Sequence, residues 1–193
     1  MLYNLAKAIC SVIIHLLFRI HVDGIHNFPE EGPVIIFSNH RSMWDPVIIG
    51  CVLKRPVYFM AKQELFKIPV FGFVLRNINA FPVRRDNADR KAIKRGLEIL
   101  SSGKVLGIFP EGTRSKTGEL LKPEPGIALM AVRSKNAALV PIAIKGSYRW
   151  FSDIYVKIGK PTGVKVNDER LSSQKLCEIS ERLFVEISKL MAS

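Results

Sequence analysis

The sequence predicts an α/β domain in which helices flank a central mixed sheet. Short apolar runs typical of buried strands alternate along the chain with segments whose apolar residues recur at helical spacing. The chain has 193 residues, which is the length of one domain and enough to bury a core without disulfide or metal staples. Its composition, 48% hydrophobic and 24% charged, is that of a folded protein. We therefore treat 1–193 as a single domain.

The strand predictions rest on continuous apolar runs, the first of which is opened by Gly32 and Pro33. Strands buried on both faces read as continuous runs rather than as alternating ones, which favours a sheet covered by helices on both sides. The predicted strands are Val34–Phe37, Val57–Met60, Ala80–Val83, Val105–Phe109, Ala138–Ile144 and Ile154–Ile158.

Helices are predicted where capping residues and helical periodicity coincide. One opens at Asp45-Pro46, with Asp as the N-cap and Pro at the first helical position. A second spans Asp86–Ser101, followed by Gly103 as the C-terminal glycine, and a third spans Ile127–Val132. The last 25 residues form an amphipathic closing helix, because apolar residues recur at spacings of 3, 4, 4 and 3: Leu176, Ile179, Leu183, Ile187 and Leu190.

The N-terminus carries an uncharged, mostly apolar run, Ala8–Phe18, between Lys7 and Arg19. It is too short to span a bilayer, which takes about 20 residues, and no small-residue cleavage site follows it. We therefore expect a membrane-associating helix over residues 1–22 that lies in one leaflet, ahead of an α/β core over 23–193. An ordinary core helix is the alternative.

The charge balance restricts the partner classes. Lys and Arg number 29 and Asp and Glu 17, a net charge of +12, and residues 54–104 alone hold twelve basic and four acidic side chains. Such an excess favours nucleic acid, an anionic membrane or phosphorylated and acidic substrates, unless it serves solubility alone. No helix-turn-helix spacing, zinc finger or aromatic–basic interleaving supports nucleic acid.

The cysteines argue against a metal or disulfide protein. The chain has three, Cys10, Cys51 and Cys177, which are too few and too scattered for a disulfide framework. None has His or Cys at ligand spacing, so we expect no zinc site. The pattern is typical of a reducing, cytosolic environment.

Two polar segments directly follow predicted buried strands, where α/β proteins present reactive groups. In the first, Asp45 follows His40 by five residues, so the two meet only if the chain turns between them, and Pro46 disfavours helical geometry at Asp45. A carboxylate on one imidazole nitrogen would leave the other free as a base. A structural His and a capping Asp are the alternative interpretation.

The second segment runs from Phe109 through Glu111, Gly112, Thr113 and Arg114. Gly112 permits an unusual φ and close backbone approach, and the loop amides with Thr113 supply donors. Arg114 offers a planar fork suited to phosphate, and Glu111 could orient that guanidinium or a neighbouring one. A plain β-turn is the alternative.

A third segment places Arg84 and Arg85 at the end of the Ala80–Val83 strand. Side chains alternate faces along an extended chain, so at most one of the two points into a given site.

Together these segments resemble the glycerolipid acyltransferases, and most closely the bacterial 1-acyl-glycerol-3-phosphate acyltransferases. The family has four short sequence blocks, each of which is a weak signal alone. All four occur here in the family's order, within about residues 20–160. The matching features are His40-x4-Asp45, an Arg ending the Phe81-Pro82-Val83 strand, Glu111-Gly112-Thr113-Arg114, Val140-Pro141, and the intervening segment Phe59–Leu65. The second block departs from the pattern at its first position, usually Gly and here Asn79.

The resemblance implies roles for individual residues. His40 would be the general base and Asp45 its orienting partner. The glycerol-phosphate site would be formed by Glu111, Gly112, Thr113, Arg114 and the arginine of the second block, which falls on Arg85. Val140 and Pro141 would be structural, lining an acyl tunnel.

The implied reaction is direct acyl transfer from an acyl carrier protein or coenzyme A thioester to the sn-2 hydroxyl of lysophosphatidic acid, without metal or cofactor. No Gly-x-Ser-x-Gly elbow occurs, and no acyl-enzyme is indicated. The implied location is the cytoplasmic face of the cell membrane, as a peripheral or monotopic protein at an anionic surface. The alternatives are a relative acting on another lysolipid, and an inert lipid-binding protein.

Overall fold

The structure is a computed structural model that describes residues 2–84, 89–134, 136–164 and 172–193. Its helices within these ranges are α1 (Leu2–Leu17), α2 (Asp45–Val52), α3 (Pro69–Asn77), α4 (Arg90–Ser101), α5 (Gly126–Arg133) and α6 (Ser173–Ala192). Its strands are β1 (Phe18–Asp23), β2 (Val34–Ser38), β3 (Val57–Lys62), β4 (Phe81–Val83), β5 (Val105–Ile108), β6 (Ala138–Gly146) and β7 (Ser152–Ile158).

All six predicted strands are present as β2 to β7, and the four helices predicted beyond residue 40 are present as α2, α4, α5 and α6. Two elements were not predicted, α3 and β1. The predicted N-terminal helix segment over 1–22 is wrong at its end, because the helix stops at Leu17 and residues 18–23 pair with β7 as a parallel edge strand.

Two helix starts also differ in detail from the prediction. The N-cap of α2 is Trp44, and Asp45 is the first helical residue, so the carboxylate of Asp45 is free to face the preceding loop. Helix α4 begins at Arg90, where the side chain of Asp89 accepts hydrogen bonds from the amides of Lys91 and Ala92. The predicted start of this helix at Asp86 lies outside the described residues.

Within the described residues the sheet has seven strands, in the order β1-β7-β6-β2-β5-β3-β4. Every neighbouring pair is parallel except β6 and β7, which confirms a mixed sheet. Strands β6, β2, β5, β3 and β4 therefore end at one edge, and the loops that leave this edge lie side by side.

Helices cover both faces of the sheet and divide the core into two layers. On β2, Val34 and Ile36 face the layer that contains Ile14 of α1 and Ile48 of α2. Ile35 and Phe37 face the other layer, which is closed by residues of α4, α5 and α6: Ala92, Ile99, Leu100, Ile127, Ala128, Met130, Ile179, Leu183, Phe184 and Ile187. Because β2 is buried on both sides, its sequence reads as a continuous apolar run.

Helix α1 packs one face on the core and leaves an apolar face exposed. Ile14 is fully buried, whereas Leu5, Ile9, Val12 and Leu16 are exposed. Within the described part of the chain, no helix combines the length and the apolar character needed to cross a bilayer.

Candidate active site

The two polar segments found in the sequence meet at the carboxyl edge of the sheet. His40 lies just after β2, and Glu111 to Arg114 lie just after β5, its direct neighbour. The backbone amide of Ser115 donates to the carbonyl of His40 at 2.8 Å, which ties the two loops together. The parallel pairing of β2 and β5 thus creates the site.

His40 and Asp45 form a buried pair. The Nδ1 atom of His40 lies 2.9 Å from Oδ2 of Asp45, and the two residues are 8% and 0% exposed. The same Oδ2 accepts the backbone amides of Arg41 at 2.7 Å and Ser42 at 2.8 Å. The turn that the sequence requires between the two residues is therefore held together by the carboxylate itself.

The other oxygen of Asp45 has a partner of its own. The hydroxyl of Tyr148, from the loop after β6, donates to Oδ1. Burial, followed by the charge of Asp45, raises the pKa of Tyr148, so its phenol stays protonated as a donor. Since an ionised carboxylate only accepts hydrogen bonds, Nδ1 of His40 carries a proton and Nε2 keeps its lone pair. This is the arrangement of a general base.

The imidazole plane is fixed by aromatic stacking. The ring of Phe109 stacks on that of His40 with centroids 4.0 Å apart and an interplanar angle of 18°. Phe59 of β3 stacks in turn on Phe109 at 5.7 Å. Stacking on one side and the carboxylate on the edge together restrict rotation of the base.

Glu111 is a second buried carboxylate of the site and is 4% exposed. Its Oε1 accepts the backbone amide of His40 at 2.7 Å, and its Oε2 accepts that of Leu121 at 2.9 Å. Burial raises the pKa of Glu111, and the two amide hydrogen bonds oppose that rise. Among the described residues the carboxylate forms no ion pair with a guanidinium, and the neighbouring arginine that it was expected to orient, Arg85, lies outside them. The carboxylate of Glu111 holds the backbone of His40.

The remaining residues of this loop face outward. Gly112 has φ of 65°, in the left-handed region, and its amide donates to the carbonyl of Phe109. Thr113 and Arg114 are exposed, and Arg114 has no ion-pair partner among the described residues. This geometry leaves the guanidinium of Arg114 and the hydroxyl of Thr113 available to an anion.

His40 and Arg114 line the same cavity, which has a volume of about 250 Å³ and runs between α1, α2, β3 and α3. Most of its other lining side chains are apolar: Tyr3, Cys10, Met43, Val47, Cys51, Val57, Phe59, Met60, Leu65, Leu75, Ile78 and Phe109. Met43, Lys62 and Arg114 are the exposed residues of the lining. An apolar cavity that is also lined by a histidine and by exposed cations suits an amphiphile with an anionic head.

The predicted arginine of the second block, Arg85, lies outside the described residues. Arg84 is exposed and its Nε lies 3.7 Å from Oδ2 of Asp89, so it pairs with the cap of α4 and does not line the cavity. Asn79, which stands where the resembling family usually has Gly, has φ of 62°. Asn tolerates this left-handed conformation better than most residues, so the departure preserves the backbone shape.

Val140 and Pro141, which the resemblance implies are structural residues along an acyl tunnel, lie in the sheet. Both lie on β6, paired with β2, and neither lines the cavity. Val140 packs in the core, and the carbonyl of Pro141 accepts the amide of Gly159. Their role is structural.

The family comparison agrees with this geometry. Residues 19–145 match the family model described as Acyltransferase. The chain belongs to the acyltransferase family. The match spans both β2 and β6 and so includes the whole His40 and Glu111 region of this acyltransferase.

Individual relatives are informative about this acyltransferase. It is 34% identical over 146 residues to the 1-acyl-sn-glycerol-3-phosphate acyltransferase of Bacillus subtilis, covering 75% of this chain and 72% of the relative. It is 32% identical over 135 residues to the lyso-ornithine lipid O-acyltransferase of Pseudomonas aeruginosa, covering 69% of this chain and 49% of that relative.

The fold also has a solved counterpart. The crystal structure of the 1-acyl-sn-glycerophosphate (LPA) acyltransferase of Thermotoga maritima superposes with a TM-score of 0.71 at 23% identity, covering 99% of this chain and 81% of the other. This likeness supports the α/β fold with a mixed sheet between helices.

Sequence reasoning missed three contributors to the site. Phe109 and Ser115 flank the predicted Glu111–Arg114 segment, so their positions in the sequence could have indicated a role in the site. Tyr148 is 103 residues from Asp45 and gave no signal, because only the pairing of β6 with β2 brings it near. Among the described residues, no group of three or more His, Cys, Asp or Glu side chains could hold a metal ion.

Proposed function

We propose that this acyltransferase moves a fatty acyl group from an acyl thioester to the sn-2 hydroxyl of 1-acyl-glycerol-3-phosphate and so produces phosphatidic acid. The single observation that carries the proposal is the His40–Asp45 pair, whose histidine lines one apolar cavity together with Arg114. The name of the Bacillus subtilis relative supports the choice of acceptor.

The reaction needs only one proton acceptor. Nε2 of His40 takes the proton of the acceptor hydroxyl while the hydroxyl oxygen bonds to the thioester carbonyl carbon. The resulting tetrahedral intermediate collapses with cleavage of the C–S bond, and the departing thiolate takes the proton back from His40. Asp45 stabilises the transient imidazolium through Nδ1 at 2.9 Å, as in other His–carboxylate pairs.

The phosphate of the acceptor would bind where exposed cations line the cavity. Arg114 can donate two parallel hydrogen bonds to it, and Lys62 adds a second cation on the same lining. The hydroxyl of Thr113 supplies a further donor from the same loop, and Gly112, which has no side chain, permits close approach of the phosphate. Arg85 keeps its predicted role as an additional phosphate ligand. Glu111 contributes indirectly, through the backbone of His40.

An acyl chain would occupy the apolar part of the cavity between α1, α2 and β3. Lys7 is the polar exception there, and its ammonium donates to the carbonyl of Leu53. Burial lowers the pKa of Lys7, because desolvation disfavours its charged form.

The membrane surface is the proposed location, on the cytoplasmic side. The exposed apolar face of α1 supports it, as does the net charge of +12, because basic residues near an anionic leaflet contribute about 1 kcal/mol each. The same charge suits an acidic acyl carrier protein or the phosphates of coenzyme A as donor.

The test is release of free thiol from long-chain acyl carrier protein and from acyl coenzyme A, with and without 1-acyl-glycerol-3-phosphate. His40→Ala is compared with the control variant His26→Ala, because His26 is exposed and precedes β2 in the chain. We expect acceptor-dependent release in the wild type and in His26→Ala, and none in His40→Ala.

Other outcomes have defined meanings. Release without acceptor would indicate a thioesterase. Release with lyso-ornithine lipid but not with the phosphate acceptor would favour the second candidate, which the Pseudomonas aeruginosa relative suggests. No release with any lysolipid would overturn the enzyme proposal and leave a lipid-binding protein.

A further inference from the structure

The loop between β6 and β7 exposes two large aromatic side chains to solvent. Trp150 is 77% exposed, the highest value among the large apolar side chains that the structure describes, and Phe151 beside it is 66% exposed. Nothing in the catalytic geometry uses either side chain. Single exposed apolar residues are ordinary, but an adjacent Trp–Phe pair at a loop tip is a candidate interaction site.

The backbone holds this pair in place. Phe151 has φ of 59°, a conformation that bulky residues rarely adopt and that persists only where neighbouring contacts impose it. Its amide donates to the carbonyl of Leu17 at 2.7 Å, and the hydroxyl of Ser152 donates to the carbonyl of Arg149 at 2.7 Å. The loop tip is thus fixed against the end of α1 rather than free to fold inward.

The same contact joins the loop to the exposed face of α1. Leu17 ends that helix, and the exposed residues Leu5, Ile9, Val12 and Leu16 recur along it at spacings of 4, 3 and 4, as one helical face requires. Leu16 is 66% exposed and directly precedes the residue that Phe151 contacts. Two exposed cations are close in the chain, because Arg149 directly precedes Trp150 and Arg19 follows Leu17 by two residues.

We propose that Trp150 and Phe151 are a second membrane contact, which rests with the exposed face of α1 on an anionic phospholipid bilayer. This inference depends on the membrane location in the proposed function and adds the loop to it. Lipid is the favoured partner because Trp prefers the membrane–water interface and flanking cations attract anionic headgroups. Charge complementarity and continuity with α1 both indicate the same surface.

The loop also connects the membrane contact to the reaction site. Tyr148, two residues before Trp150, donates to Asp45, and its ring packs edge-on against Phe18 with centroids 6.0 Å apart. A bilayer in contact with Trp150 would therefore touch the same short loop that holds Tyr148, the partner of Asp45. This position suits an enzyme whose acceptor resides in the bilayer.

The test uses tryptophan fluorescence of the full chain, which has two tryptophans. Trp44→Phe leaves Trp150 as the sole fluorophore. On vesicles of phosphatidylcholine with phosphatidylglycerol, we expect its emission to shift to shorter wavelength, and brominated acyl chains to quench it. In the matched variant Trp150→Phe, the partly buried Trp44 should show neither change.

A second variant measures the contribution to binding. Trp150→Ser combined with Phe151→Ser should weaken vesicle co-flotation about tenfold or more, because the apolar area lost is large. Tyr155→Ser, which removes an exposed aromatic ring from β7, should weaken it much less.

The proposal and the proposed function fail in different ways. If the protein floats with vesicles while Trp150 emission and quenching stay unchanged, the loop faces water and the inference is overturned. Absence of vesicle binding in the wild type overturns it as well and favours another partner for the surface. Thiol release from water-soluble short-chain substrates needs no membrane. If the wild type shows no such release, the result counts against the proposed function alone.

Discussion

The hydroxyl of Tyr148 donates a hydrogen bond to the carboxylate of Asp45, across 103 residues of sequence. Asp45 is fully buried and accepts three further hydrogen bonds, from His40 and from the amides of Arg41 and Ser42. Tyr148 is therefore the one described side chain besides His40 that bonds the orienting carboxylate. In the proposed reaction it would act through Asp45, as a positioning residue.

Tyr148→Phe should lower kcat roughly tenfold while changing KM for the acceptor little, since a hydrogen bond to a charged group contributes about 1.5–3 kcal/mol. The measurement is kcat and KM for the acceptor, and Tyr155→Phe is the control. A loss of thermal stability with unchanged kcat would show a purely structural role.

Arg114→Ala should raise KM for the phosphate-bearing acceptor and lower kcat/KM by about 10- to 100-fold, because a charge-assisted hydrogen bond is lost. Arg114 is exposed, so the free energy of unfolding should change by less than about 0.5 kcal/mol. Steady-state kinetics with varied acceptor checks this, with Arg95→Ala on α4 as the control. An unchanged KM and kcat/KM would remove Arg114 from the phosphate site.

Glu111→Gln should destabilise the fold by about 1–3 kcal/mol and reduce activity. The amide oxygen can still accept the amide of His40, but the amide nitrogen cannot accept that of Leu121. Urea unfolding at a fixed pH measures the loss, and Glu119→Gln, an exposed position on the following loop, is the control. Equal stability of wild type and Glu111→Gln would contradict the assignment of Glu111 as the backbone support.

The same pair of proteins gives a pH dependence of defined sign. Burial raises the pKa of Glu111 in the folded state, so the folded protein binds this proton more tightly than the unfolded chain does. The contribution of Glu111 to stability is thus full below its ordinary pKa and declines as pH rises through the raised value. The stability difference between wild type and Glu111→Gln should shrink over that interval. A difference that grows with pH would contradict the direction of the shift.

Asn79→Gly and Asn79→Val should have opposite consequences. Asn79 has φ of 62°, which Gly adopts without cost and a β-branched residue adopts poorly. We expect Asn79→Gly to change the free energy of unfolding by less than about 1 kcal/mol, and Asn79→Val to reduce it by about 1–2 kcal/mol. Thermal denaturation distinguishes them. Equal effects of the two variants would show that the conformation at this position is not what matters.

Much of the fold was accessible from sequence because its signals are local. Buried strands such as Val34–Phe37 read as apolar runs, and α6 reads as a helical repeat. The residues of the site were found for the same reason, since His40 and Glu111 directly follow strands β2 and β5. Strand β1 was missed because only Phe18 of its six residues is buried, so it lacks the pattern of an internal strand.

The sequence by itself determined the α/β class, six of the seven strands, the His40–Asp45 hypothesis and the family resemblance, because each rests on residues adjacent in the chain. The tertiary structure decided which loops meet, through the order of the strands in the sheet. It assigned Glu111 to the backbone of His40 and brought Tyr148 to Asp45. Such contacts depend on strand pairing across many residues, and chain-local patterns carry no record of that pairing.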